Sequence, residues 1–134
     1  MREYNLFVIK NDYYYNYKNN PNLLYDILKN LFYLNSDFNY GVTLFEQLCN
    51  KVSVDTLRYY LNNKFSMNNK NKFYIDNIYL ELKPTRIIVK SDYNYPKIMK
   101  ALNCYNRYIF VCDFINEDYF WLSNFVRKEV FQYI

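Results

Sequence analysis

The 134-residue sequence contains no histidine and a single glycine, Gly41. Histidine is the usual general base near neutral pH and the commonest metal ligand, so its absence argues against most hydrolytic and metal chemistry. One glycine is too few to build a glycine-rich phosphate loop. The adjacent pair Glu117 and Asp118 falls in a predicted turn, where acidic residues are ordinary turn formers. We therefore predict a protein that is not an enzyme, with no catalytic residue, cofactor or metal.

The sequence also lacks any apolar run of 18 residues, which is the minimum for a transmembrane helix. Its first residues lead directly into a strand-like segment, without the apolar core of a signal peptide. Three cysteines, Cys49, Cys104 and Cys112, stand at long and unrelated spacings that do not suit a metal site. These features predict a cytoplasmic protein with no membrane segment and three buried, reduced thiols.

Aromatic side chains are abundant instead, at 22% of the residues, with 18 Tyr and 11 Phe against one Trp. Tyr, Phe, Asn, Lys and Ile share AT-rich codons, so a biased genome accounts for much of this composition. The net charge of +4 is spread along the chain and forms no basic stripe of the kind that nucleic-acid-binding domains carry. The length suits one domain, residues 1–134, and we expect its aromatic surface to bind a partner.

Hydrophobic spacing predicts three helical regions. The first begins at Asn20–Pro21, an Asn cap followed by Pro at the first helical position. Its expected buried face has the spacing i, i+3, i+4, i+7 and consists of Leu24, Ile27, Leu28 and Leu31. The second covers 42–63 with a break near Ser53, and the third begins at Asn94 or Tyr95, with an inner face of Ile98, Ala101 and Leu102.

Five strands are predicted, at 4–10, 78–82, 86–90, 108–114 and 119–122. The strand at 108–114 is continuously apolar, which is typical of an interior strand with both faces covered. The polar segment 62–72 is predicted to be a surface loop. Helices and strands do not alternate strictly, so we expect an α+β domain with a single mixed, largely antiparallel sheet of about five strands flanked by helices.

The aromatic cluster after the first strand is the main candidate site, with Tyr13, Tyr14 and Tyr17 as the predicted partner-binding residues. Three interpretations stay open: ordinary packing on the first helix, a protein interface, and stacking on single-stranded nucleic acid. Asp113, at the end of an apolar strand, has two interpretations. It caps the turn toward Asn116, or it faces a partner.

The order of three stretches resembles the SirA family, the sporulation inhibitors of replication of spore-forming bacteria. The first stretch is a strand, aromatics at Tyr13 and Tyr17, and then an amphipathic helix. The second is Ile87–Val89 followed by Ser91–Tyr93 and a helix. The third is Val111–Phe114, a short turn, and Tyr119–Leu122. Together they follow the family's order over nearly the full length.

This resemblance implies a non-enzymatic inhibitor that binds the N-terminal domain of the replication initiator DnaA through aromatic side chains, without direct contact to nucleic acid. Tyr13 and Tyr17 match the family's partner-facing positions, although the family has Phe where Tyr13 stands. Ser123–Asn124 replaces a family proline, and 42–72 matches poorly. The alternatives are another binding module of AT-rich origin, such as a phage protein, that contacts a different protein or single-stranded nucleic acid, and a small enzyme.

Overall fold

The protein is described here from a computed structural model, which covers residues 2–33, 45–64, 72–75, 78–92 and 98–125. Its strands are β1 Arg2–Val8, β2 Lys72–Ile75, β3 Ile78–Leu82, β4 Ile87–Ser91, β5 Ile109–Asp113 and β6 Asp118–Trp121. Its helices are α1 Asn11–Tyr17, α2 Pro21–Phe32, α3 Val54–Lys64 and α4 Ile98–Tyr105. Short helical turns cover 45–48 and 122–125. No helix within the described ranges is long and apolar enough to cross a membrane.

The six strands form one sheet in the order β2-β3-β4-β1-β5-β6, and every pairing is antiparallel. β1 lies inside the sheet, where Leu6 stands opposite Ile87 of β4 on one side and Val111 of β5 on the other. The predicted α+β class is therefore confirmed. The sixth strand, β2, was not predicted, and it begins at Lys72, the last residue of the predicted loop.

Strand alternation divides the core into two layers, one on each face of the sheet. Even-numbered residues of β1 face a cluster that includes residues of α3 and α4, such as Leu57 and Leu102. Phe7 and Ile9 point to the other face, where they belong to a second cluster that includes Leu24 and Leu28 of α2. β5 is buried on both faces and lies inside the sheet, as its continuous apolar sequence predicts.

The buried face of α2 differs by one residue from the prediction. Leu24, Leu28 and Leu31 are buried as expected, but Ile27 is 36% exposed and Tyr25 takes its place in the core. The Tyr25 ring stacks on Tyr119 of β6 at 4.7 Å, so the aromatic contact with the sheet rotates the buried face toward Tyr25.

The predicted break near Ser53 is confirmed by the described part of the second helical region. The chain leaves a helical turn at 45–48, and α3 then begins just after Ser53, whose carbonyl accepts the N–H of Leu57. Residues 42–44 and the predicted start of the third helix at Asn94 or Tyr95 lie outside the described residues. Within α4, the expected inner face is buried.

Asp113 closes the turn between β5 and β6. Its side chain is 1% exposed and accepts hydrogen bonds from the backbone N–H and the Nδ2 of Asn116, at 3.1 and 2.8 Å. Arg2 Nε donates a third, at 3.0 Å, from the start of β1. The turn-capping interpretation of Asp113 is therefore confirmed.

Candidate protein-binding surface

Helix α1 carries the predicted site, and it lies on the outside of the sheet. The chain leaves β1 through Lys10, whose backbone N–H bonds to the carbonyl of Leu48 and whose own carbonyl accepts the N–H groups of Tyr13 and Tyr14. These bonds start a seven-residue helix that has no fully buried residue. Every side chain of α1 is therefore at least partly available at the surface.

Tyr14 is the member of the predicted site that turns toward the core. Its ring lies 4.6 Å from that of Tyr108 and 4.9 Å from that of Trp121, edge-on in the second case. Trp121 itself is buried. Tyr14 therefore joins α1 to the sheet, and because it is only partly buried, part of the side chain remains available for the predicted contact with a partner.

Tyr13 and Tyr17 stand four residues apart on α1, which places them on the same face of the helix. Tyr13 is 36% exposed, while Tyr17 is half-buried and packs partly against the α2-side core. The pair thus combines an accessible ring with a ring that is already held in place. A fixed aromatic surface binds with a smaller loss of side-chain entropy than a mobile one.

The outer side of α2 adds apolar area that the sequence analysis did not identify. Leu23 is 50% exposed and Ile27 is 36% exposed, and they also stand four residues apart. Because α1 and α2 cover the same face of the sheet and contact each other, their outward side chains lie on one side of the molecule. Tyr13, Tyr17, Leu23 and Ile27 are called the α1–α2 surface below. The exposure of Leu23 could have been inferred from the sequence, because Leu23 lies outside the predicted buried face of the helix.

Charges on these two helices are few and of both signs. The two helices and the residue after α1 contain Asp12, Asp26, Lys18 and Lys29, and the Lys29 Nζ is paired with Glu117 at 3.1 Å. This hydrogen bond is the main reason that the pKa of Lys29 is raised. A surface of this kind lacks the concentrated positive charge that nucleic-acid backbones require. It suits a protein partner better.

The cysteines do not form a site. Cys49 and Cys112 are buried, and burial raises the pKa of Cys49 to about 12. Cys104 is exposed, so the prediction that all three thiols are buried is wrong for this one. It lies two residues beyond Leu102 on α4, on a side of the helix that the apolar face does not include. In the described part of the chain, no three His, Cys, Asp or Glu residues are grouped as metal ligands would be.

Comparison with protein-family models and with curated proteins finds no match for this chain. The geometry of the α1–α2 surface and the sequence resemblance therefore carry the functional argument.

Proposed function

We propose that this chain is a non-enzymatic, cytoplasmic protein that binds the N-terminal domain of DnaA through the α1–α2 surface and so inhibits the initiation of replication in sporulating cells. One observation carries the proposal. Tyr13 and Tyr17, which match the partner-facing aromatic positions of the SirA family, share a face of a surface helix on which one ring is accessible and the other is held in place.

The chemistry of these residues suits a protein interface. Tyrosine offers a large apolar ring and one polar atom at a small entropic cost, and it is enriched among residues that dominate binding energy. The hydroxyl of Tyr13, where the family has Phe, must find water or a hydrogen-bond partner in the complex. Tyr13 therefore belongs at the rim of the contact, and Tyr17, nearer the core, belongs at its centre.

The test measures affinity for the DnaA N-terminal domain by calorimetry for Tyr13→Ala and Tyr17→Ala. Truncation of a central interface aromatic costs about 2–4 kcal/mol, so Tyr17→Ala should weaken binding roughly 30- to 1,000-fold, and Tyr13→Ala, at the rim, should weaken it less. Tyr59→Ala is the matched control, because Tyr59 is a 72% exposed tyrosine on α3, on the opposite face of the sheet. If both α1 variants remain folded and bind as tightly as the parent, the proposed surface is wrong.

Salt dependence separates this proposal from binding to single-stranded nucleic acid. Binding to nucleic acid releases the counterions condensed on its phosphates, and because this release is less favourable at high salt, the affinity falls steeply as the salt concentration rises. A contact centred on aromatic rings depends much less on salt. The nucleic-acid alternative would be supported if the protein bound oligonucleotides but not DnaA. In that case the oligonucleotide affinity should be lost in Tyr13→Ala and should fall steeply at high salt.

A further inference from the structure

A cavity opens at the C-terminal end of α2, away from α1. Its volume is about 170 Å³, and its described lining consists of Glu3, Asn5, Phe32, Tyr33, Phe114 and Ile115. Small-molecule sites typically measure about 300–1,000 Å³, so this cavity is too small for a nucleotide or a cofactor. It has the size to receive one amino-acid side chain.

Aromatic rings form the wall of the cavity. Phe32 and Phe114 stack with their centroids 4.5 Å apart, and Tyr33 stands edge-on to Phe32 at 5.1 Å. Phe114 is buried, whereas Tyr33 is 53% exposed at the rim. The negative faces of such rings attract a cation that comes within about 6 Å.

Glu3 lines the same cavity, and two cations, Lys90 and Arg86, lie near it without forming an ion pair with it. Lys90 stands opposite Glu3 in the strand register, but its Nζ lies over the ring of Tyr79, 5.2 Å from the centroid. Arg86 donates from Nε to Asn5 Oδ1 at 2.9 Å, and its guanidinium lies over Phe32. Among the described residues, none forms an ion pair with Glu3 within 4.0 Å.

Arg86 is the charge that would compete with an incoming cation, and its position limits the competition. Burial lowers the pKa of Arg86, and the negative charges of Glu3 and Glu81 offset part of this effect through space. Its bond to Asn5 and its place over Phe32 leave the exposed Tyr33 and the Glu3 carboxylate for another cation.

We propose that this cavity is a binding site for a lysine or arginine side chain of a protein partner. The carboxylate of Glu3 pairs with the cationic head, and Tyr33 at the rim contacts the aliphatic stem, while the face of Phe32 stays covered by Arg86. The cavity shares no residue with the α1–α2 surface, so this proposal does not depend on the function proposed for that surface.

The test is an NMR titration with the methylamides of Nα-acetyl-lysine and Nα-acetyl-arginine as probes. We expect saturable shifts at Glu3, Asn5 and Tyr33 with at least one of the two cations. The norleucine analogue, which keeps the stem of lysine without its charge, should bind at least about tenfold more weakly, since a hydrogen bond to a charged group accounts for that difference.

Glu3→Gln keeps the shape of the side chain and removes its charge, so it should also weaken binding about tenfold. Glu46→Gln is the matched control, because Glu46 is an exposed glutamate outside the cavity. The same shifts with norleucine, or an unchanged affinity in Glu3→Gln, would show an apolar cavity without charge recognition and overturn the proposal. Absence of saturable shifts with both cations would overturn it as well.

Discussion

The ring of Tyr14 stands edge-on to the indole of Trp121, with centroids 4.9 Å apart and an interplanar angle of 78°. This contact joins α1 to β6, the edge strand next to β5. A helix of seven residues is too short to be stable alone, so its position depends on such tertiary contacts. Tyr14 therefore holds the helix that presents Tyr13 and Tyr17.

The first prediction concerns this anchor. Tyr14→Ala removes the ring contacts with Trp121 and Tyr108, and we expect the free energy of unfolding to fall by about 2 kcal/mol. Tyr14→Phe keeps the rings and should remain within about 0.5 kcal/mol of the parent, as should Tyr59→Ala on an exposed face. Urea denaturation measures all three. A Tyr14→Ala protein as stable as the parent would show that other contacts hold α1.

The second prediction concerns the pH dependence that Asp113 gives to stability. Burial alone would raise the pKa of this carboxyl, but the hydrogen bonds from Asn116 and Arg2 outweigh it and lower the pKa below 3.8. A carboxyl with a lowered folded-state pKa binds protons more readily when the chain is unfolded. Its stabilising contribution is therefore complete above the ordinary carboxyl pKa and is lost as the pH falls through the lower, folded-state value.

We expect Asp113→Asn to cost about 2–3 kcal/mol at neutral pH, because it leaves Arg2 without its buried partner. The difference between this variant and the parent should shrink in acid. Asp118→Asn is the matched control, since Asp118 also pairs with Arg2, at 3.0 Å, but is largely exposed, and such pairs contribute at most about 1 kcal/mol. Unfolding midpoints measured from pH 7 down to pH 2 test both statements, and a difference that stays constant with pH would contradict the linkage.

Much of the fold follows from local sequence patterns. The alternation in Ile78–Leu82 and the apolar run in Ile109–Asp113 predicted two strands at nearly their observed bounds. β2 was missed because Lys72–Ile75 is only four residues long and follows a polar segment. Its strand structure depends on pairing with β3, and that contact leaves little local signal.

The site was predictable only in part. Tyr13 and Tyr17 could be singled out from the sequence, and because α1 is helical their four-residue spacing places them on one face. The role of Tyr14 was not visible, because Tyr108 and Trp121 are far away in the sequence and come together only through the pairing of β5 with β6. Contacts between rings that are distant in the sequence decide which tyrosines anchor the helix and which stay accessible, and local sequence patterns do not reveal such contacts.

The third prediction concerns thiol reactivity. Only a thiolate reacts quickly, and burial raises the pKa of both Cys49 and Cys112, so these two should label only when the protein unfolds. Cys104 is exposed and should react first. Native labelling with a maleimide should therefore modify one thiol rapidly, and Cys104→Ser should abolish this fast phase. Rapid modification of Cys112 in the folded protein would contradict the prediction.

The fourth prediction asks how far the proposed contact extends along α2. Leu23→Gln and Ile27→Gln replace exposed apolar side chains with a polar residue that favours helix almost as well, so each should change stability by less than about 0.5 kcal/mol. If the α1–α2 surface binds DnaA as one patch, each variant also removes apolar area from the complex. We expect the affinity for the DnaA N-terminal domain to fall about tenfold, the equivalent of about 1.4 kcal/mol.

Leu28→Ala is a control that should affect stability and not binding, because Leu28 lies on the buried face of α2. Its loss from the core should cost about 2–5 kcal/mol in stability. While the variant remains folded, its affinity for the DnaA domain should stay near that of the parent, since Leu28 is not part of the surface. Calorimetric affinities and unfolding curves on the same preparations separate the two effects. Parent-like affinity in both Leu23→Gln and Ile27→Gln, together with a loss in Tyr17→Ala, would confine the contact to α1.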